Sequence, residues 1–304
     1  MKKYKRIFAL LLGVLGTGCI LAAGILLIQN HITDQKDERL LEALQNQNTS
    51  PASDPETTPD NKGALDDKAD SAPSPEASEP DTVSSPPEPF EEPENAAPLP
   101  EPVENPYRDS FLSNEDMAGW LQIPDTEIDY PIMWTPEDEN YYLYRSFDKR
   151  ESKNGCLILD TDSCVEPPTT NLIIHGHNMK SGAMFGNLMK YEKPEYFEEH
   201  RQIILYTPQC RRNYEVLAVF RSQVYKKTDQ VFKFYKFFQA DTQEEFDDFY
   251  NHIKELSLYD TGVTASFGDR FITLSTCAYH TDHGRFVVVA RETDCQETYL
   301  PFKE

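Results

Sequence analysis

The segment Arg270-Phe271-Ile272-Thr273-Leu274-Ser275-Thr276-Cys277 decides how the rest of the chain is read. Its residues are β-branched or apolar and it has no helix-type spacing, so it reads as a strand. Alternation puts Thr273, Ser275 and Cys277 on one face and Ile272, Leu274 and Thr276 on the other. A thiol at a strand end, on a face that carries hydroxyls, is where a nucleophile can meet a substrate. A free cysteine is also commonly a small buried hydrophobe, so this segment alone does not decide between the two.

A second segment, Asn171-Leu172-Ile173-Ile174-His175-Gly176-His177-Asn178-Met179, is a buried-type strand ending in two histidines. Two-residue periodicity sends His175 and His177 to the same side. Arg285 opens the apolar run Phe286–Ala290, just after the loop that leaves Cys277, so a hairpin returns it near the thiol. Cys, His and Arg together form an acyl-transfer set of nucleophile, general acid and base, and fixed cation for an oxyanion. A metal site competes with it, because Cys277, His280 and His283 are spaced C-x2-H-x2-H and His175 and His177 could add ligands. Zinc spacings, however, usually begin with a Cys pair, and the chain has no CxxC.

Further strands are expected at Ile128–Met133, Cys156–Leu159, Leu172–His175, Ile203–Tyr206, Glu215–Phe220 and Phe286–Ala290, with turn signals between them. Many short strands suggest a mainly β barrel or sandwich with peripheral helices. One helix interrupts them: Thr242-Gln243-Glu244-Glu245 is a capping box, followed by Phe246, Phe249, Tyr250, Ile253 and Leu256 at helical spacing. Ser113-Asn114-Glu115-Asp116 predicts another helix start, with Met117, Trp120 and Leu121 as its apolar stripe.

Toward the N-terminus the composition changes. Lys2, Lys3, Lys5 and Arg6 precede 22 uncharged apolar residues, Ile7–Ile28, enough to cross a bilayer. A cleavable leader at Ala22-Ala23-Gly24 fits less well, because the apolar run continues to Ile28; a lipidated Cys19 lacks the upstream aliphatic residue. The expectation is a transmembrane anchor over residues 1–28, with the basic stub cytoplasmic and the rest extracytoplasmic. Residues 29–105 read as a disordered acidic Pro-rich linker: 14 of the 22 prolines lie between Pro51 and Pro106, and Asp34–Pro106 carries 19 acidic against 4 basic residues. A short helical turn is expected at Arg39–Leu44. Residues 106–304 form the remaining domain, large enough for a full core. A net charge of −23 argues against a nucleic-acid partner. Of six cysteines, Cys19 lies in the apolar run, and Cys156, Cys164, Cys210, Cys277 and Cys295 are an odd number, so their pairing stays open.

At these residues the chain resembles the sortases, membrane-anchored cysteine transpeptidases of Gram-positive bacteria. The resemblance rests on Thr273–Cys277 with Arg285 eight residues on, on Gly176-His177-Asn178-Met179, and on Met184-Phe185-Gly186-Asn187-Leu188. Gly119–Pro124 and Ile128–Pro131 look like the family's opening strands, so the likeness covers essentially Tyr107–Arg291. It implies a closed eight-stranded sortase β-barrel, Cys277 as nucleophile, His177 as acid and base, Arg285 on the oxyanion side, and no cofactor or metal. It also implies substrate contacts at Ser275, Thr276, His175 and Asn140. The partners implied are surface proteins with C-terminal sorting signals and a peptidoglycan or cell-wall amine. The roughly 45 residues between Val224 and Phe271 that hold the helix, the expected helical start near Ser113–Leu121 and the N-terminal anchor look like class B, as does the absence of an apolar segment in Tyr299–Glu304. Class B members often carry Tyr where this chain has His175.

Overall fold

The computed structural model describes residue 32, residues 35–46 and residues 102–300. Among the described residues nine strands are present: β1 (Val103–Glu104), β2 (Met117–Gln122), β3 (Asp129–Met133), β4 (Leu157–Leu159), β5 (Asn171–Gly176), β6 (Gln202–Tyr206), β7 (Cys210–Gln223), β8 (Phe271–Cys277) and β9 (Gly284–Tyr299). They are ordered β1-β9-β7-β6-β2-β3-β4-β5-β8, and β8 pairs again with β9. That last pairing closes β2–β9 into the expected eight-stranded barrel, while β1 adds two residues in parallel to the end of β9. Closure leaves no long unpaired edge.

The barrel interior is filled by alternate residues of every wall. Leu121, Ile132, Leu157, Leu172, Ile174, Ile272, Leu274, Phe286 and Val288 form one cluster, sealed by Met184, Phe185 and Leu188 from the segment after β5. A short helix α3 (Pro194–Glu199) precedes β6, and a second core lies outside the barrel, between β7, β8 and β9 and the helix α4 (Gln243–Leu256). The helix starts at the predicted capping box: Thr242 Oγ1 accepts from Glu245 N, and Glu245 returns a bond to Thr242 N. Its buried stripe, Phe246, Phe249 and Ile253, covers Phe271, Val287 and Val289. One strand such as β8 therefore serves two cores, and every residue of it before Cys277 is buried.

Several expectations need correction. Ser113–Asp116 does not cap a helix. The helix α2 (Arg108–Ser113) ends there, Asn114 is extended and its side chain accepts from Asp116 N, and Met117–Gln122 is a strand. The i, i+3, i+4 apolar spacing of Met117, Trp120 and Leu121 arises because β2 is buried on both faces, Trp120 in one core and Leu121 in another. Both β7 and β9 are far longer than their apolar centres; β7 runs 14 residues and shifts register at Asn213/Tyr214 and Val216/Ala218, bulges that let it bend round the barrel. The turn expected at Arg39–Leu44 is helical over residues 35–46, here α1. Its Leu40, Leu41 and Leu44 pack on the domain, and Gln45 Nε2 donates to Asp129 O at 2.7 Å, so this part of the linker is not extended. The apolar run Ile7–Ile28 and residues 47–101 lie outside the described residues. Among the described residues no helix is long and apolar enough to cross a membrane.

Candidate active site

The adjacent strands β5, β8 and β9 bring the three predicted residues together. In parallel pairing His175 lies opposite Ser275 and Gly176 opposite Thr276, so His177 follows beside Cys277. Antiparallel pairing puts Arg285 opposite Cys277. The face carrying Phe271 at the α4 end carries Ser275 and Cys277 at the other, so the site opens on the outside of the barrel wall.

Arg285 Nη1 approaches Cys277 Sγ at 3.5 Å. The guanidinium is permanently charged, so a fixed cation with five donors stands beside the sulfur. His177 Nε2 is 2.8 Å from Leu143 O. A carbonyl only accepts, so Nε2 carries the hydrogen and Nδ1 is left to take or give a proton. The Tyr144 ring lies 5.4 Å from the imidazole, tilted 37° to it.

The loop ends are tied to each other. Asn178 Nδ2 donates to Cys277 O at 2.7 Å, and Thr276 Oγ1 donates to Gly176 O at 2.7 Å. Gly176 is required by contact: a Cβ there would sit 2.5 Å from Phe185 and 2.6 Å from Leu157. The loop returns to Arg285 through two constrained residues. His283, with φ of 56°, takes the left-handed backbone angle, whereas Gly284 is needed because a Cβ would meet Ala278 O at 2.1 Å.

A groove of about 380 Å³ runs alongside, lined by Asn140, His175, Ser275 and Arg285 with Phe234, Tyr235 and Lys236 from the β7–β8 connection. Thus Asn140, His175 and Ser275 line one groove. Thr276 does not line it; the residue is buried and its hydroxyl holds the Gly176 carbonyl. Ser275 Oγ is buried and, among the described residues, has no hydrogen-bond partner. His175 Nε2 donates to Asp160 Oδ2 at 3.0 Å. Burial works to raise the Asp160 pKa, but the bond and charge of His175, with the Asp162 backbone and Lys236, outweigh it and hold the carboxyl below its ordinary value. Among the described residues no three His, Cys, Asp or Glu side chains converge as metal ligands, so C-x2-H-x2-H makes no shared centre.

Sequence reasoning missed Leu143 O, Tyr144, Asp160 and the role of Asn178. Only Asp160 left a trace, as the acidic residue that ends the apolar run of β4; a backbone carbonyl has no sequence signal.

A sortase-domain sequence profile matches residues 121–293, more than half of the chain. The chain belongs to the sortase family. It is 36% identical over 183 residues to sortase B of Listeria monocytogenes, covering 60% of this chain and 71% of that protein, and 26% identical over 183 residues to sortase B of Staphylococcus aureus, covering 59% and 70%. Among solved structures it is similar to sortase B from B. anthracis in complex with AAEK1, at 31% identity and a TM-score of 0.55, covering 65% of this chain and 90% of that one. This sortase is therefore class B-like, a transpeptidase by family.

Proposed function

We propose that this sortase is a cysteine transpeptidase in which Cys277 attacks the carbonyl after Thr in an Asn-Pro-x-Thr-like sorting signal. The observation that carries the reading is the Cys277–Arg285 contact of 3.5 Å, with His177 next along the neighbouring strand. Sulfur adds to the carbonyl carbon, Arg285 donates to the developing oxyanion, and His177 protonates the departing amine to leave a thioester. An incoming amine then gives a proton to His177, attacks the thioester and forms a new amide as sulfur leaves. The donors of the signal are surface proteins, and the acceptor is an amine of the cell-wall peptide or its peptidoglycan precursor. The groove beside Cys277 suits an extended peptide, with Asn140, His175 and Ser275 available as polar contacts.

The apolar run Ile7–Ile28 behind a basic stub supports an enzyme held at the membrane, with Tyr107–Glu304 outside the cell. In that setting the acidic segment acts as a tether between anchor and domain. Cys277→Ala tests the chemistry: cleavage of an Asn-Pro-x-Thr peptide library should disappear while the fold is kept. Undiminished cleavage would end the proposal.

A further inference from the structure

Two cysteines that the reaction does not use lie close together at the other end of β9. Cys210 pairs with Glu297 and Arg212 with Cys295 in the β7–β9 ladder. Thr298 N donates to Gln209 O at 2.7 Å, which makes Gln209–Thr298 a hydrogen-bonded rung. Rungs alternate, so Cys210–Glu297 and Arg212–Cys295 are of the non-hydrogen-bonded type, in which each side chain stands closest to the one directly opposite. Strand alternation places Cys210, Arg212, Cys295 and Glu297 on one face, with the two cysteines as diagonal neighbours. The thiols interact in the structure: burial first, and then hydrogen bonding to the Cys210 thiol, push the Cys295 thiol up to about 12. Both sulfurs are free, Cys210 half-buried and Cys295 exposed.

The other cysteines are differently placed. Cys156 is buried with its sulfur on Arg145 O, and Cys164 directs its sulfur to Glu166 O. Ten residues of β9 separate Arg285 from Cys295, on the order of 33 Å of extended chain, so this pair stands apart from Cys277.

We propose that Cys210 and Cys295 are a disulfide-forming pair, oxidised by exchange with a low-molecular-weight disulfide, that staples β7 to β9. In the first step one cysteine, as thiolate, attacks the external disulfide and expels one small thiolate, leaving a mixed disulfide on the protein. The second cysteine, as thiolate, attacks the protein sulfur of that bond and expels the second small thiolate. Two protein thiols are oxidised, one external disulfide is reduced to two thiols, and the two protons pass to the leaving thiolates or solvent. The bond closes a loop containing α4 and β8, which restricts the unfolded chain. Nothing in it depends on chemistry at Cys277, so the two readings fail separately.

The test uses the full chain carrying Cys277→Ala, incubated with oxidised glutathione at about pH 8.5, where more thiolate is present. Digestion without reductant and mass spectrometry should recover a Cys210–Cys295 linked peptide pair, lighter by two hydrogens. Tm should rise by roughly 5–10 °C over the reduced protein and return on adding reductant. Cys295→Ser should leave a single glutathione adduct on Cys210 and no Tm rise. Separate glutathione adducts on the two cysteines, no reaction at either, or a linked protein melting no higher than the reduced one would each overturn the proposal.

Discussion

Arg285 offers five donors in a fixed planar fork, and its Nη1 already lies against Cys277 Sγ. Lysine would keep the charge and lose the fork. Arg285→Lys should therefore melt like the parent and lose about 10²–10³ in kcat, the usual cost of one oxyanion donor. A near-normal kcat would remove Arg285 from the site and turn attention to backbone N–H groups beside Cys277. Ser275 makes a complementary case. Its hydroxyl is buried without a partner among the described residues, a state that costs stability in the free enzyme. Ser275→Ala should leave Tm unchanged or raised while lowering kcat/KM for a sorting-signal peptide about tenfold, the cost of roughly one hydrogen bond. Wild-type kinetics in that variant would exclude Ser275 from peptide recognition.

At the scale of elements, the site depends on how closely β5 meets the segment that caps the barrel. Gly176 touches Phe185 and Leu157, both fully buried, so Gly176→Ala has no space to expand into. It should cost about 1–3 kcal/mol, the usual range for overpacking, and move His177, the next residue, enough to lower activity as well. Thermal unfolding and peptide cleavage measured together check both parts. The capping box of α4 is a contrasting position. Thr242→Ala removes the bond from Glu245 N and should cost about 1 kcal/mol, with little change in kcat because α4 supports the far end of β8.

Elements were legible where local chemistry and tertiary role coincide. The α4 start was readable because the cap is a contact between residues three apart. The strand Phe271–Cys277 was readable because burial on both sides keeps charged residues out of it and leaves a β-branched and apolar run. β2 was misread because a two-sided strand has no period of its own, and its three largest apolar residues happened to fall at helical spacing. The ends of β7 and β9 were missed because they carry polar side chains: Arg211 and Asn213 pair as strand at partly exposed positions, and Arg212 is buried against Glu292. Of the site, the side chains Cys277, His177 and Arg285 could be found from order and spacing. Leu143 O, which fixes the His177 tautomer, lies 34 residues away in sequence and is brought there only by the fold.

For the whole molecule, barrel closure is what makes the site. The β8–β9 hairpin supplies Cys277 and Arg285, and the β5–β8 parallel pairing supplies His177 from a strand about 100 residues earlier. No single segment contains the constellation, so the account stands or falls on these side chains acting as one centre. The most direct measurement is mass spectrometry of the full chain mixed with an Asn-Pro-x-Thr-containing peptide and no acceptor amine. The account predicts a covalent adduct on Cys277 equal to the peptide's acyl fragment ending at Thr, absent from Cys277→Ala and released by added amine. Cleavage of the peptide with no adduct at Cys277, or an acyl group carried by another residue, would contradict it.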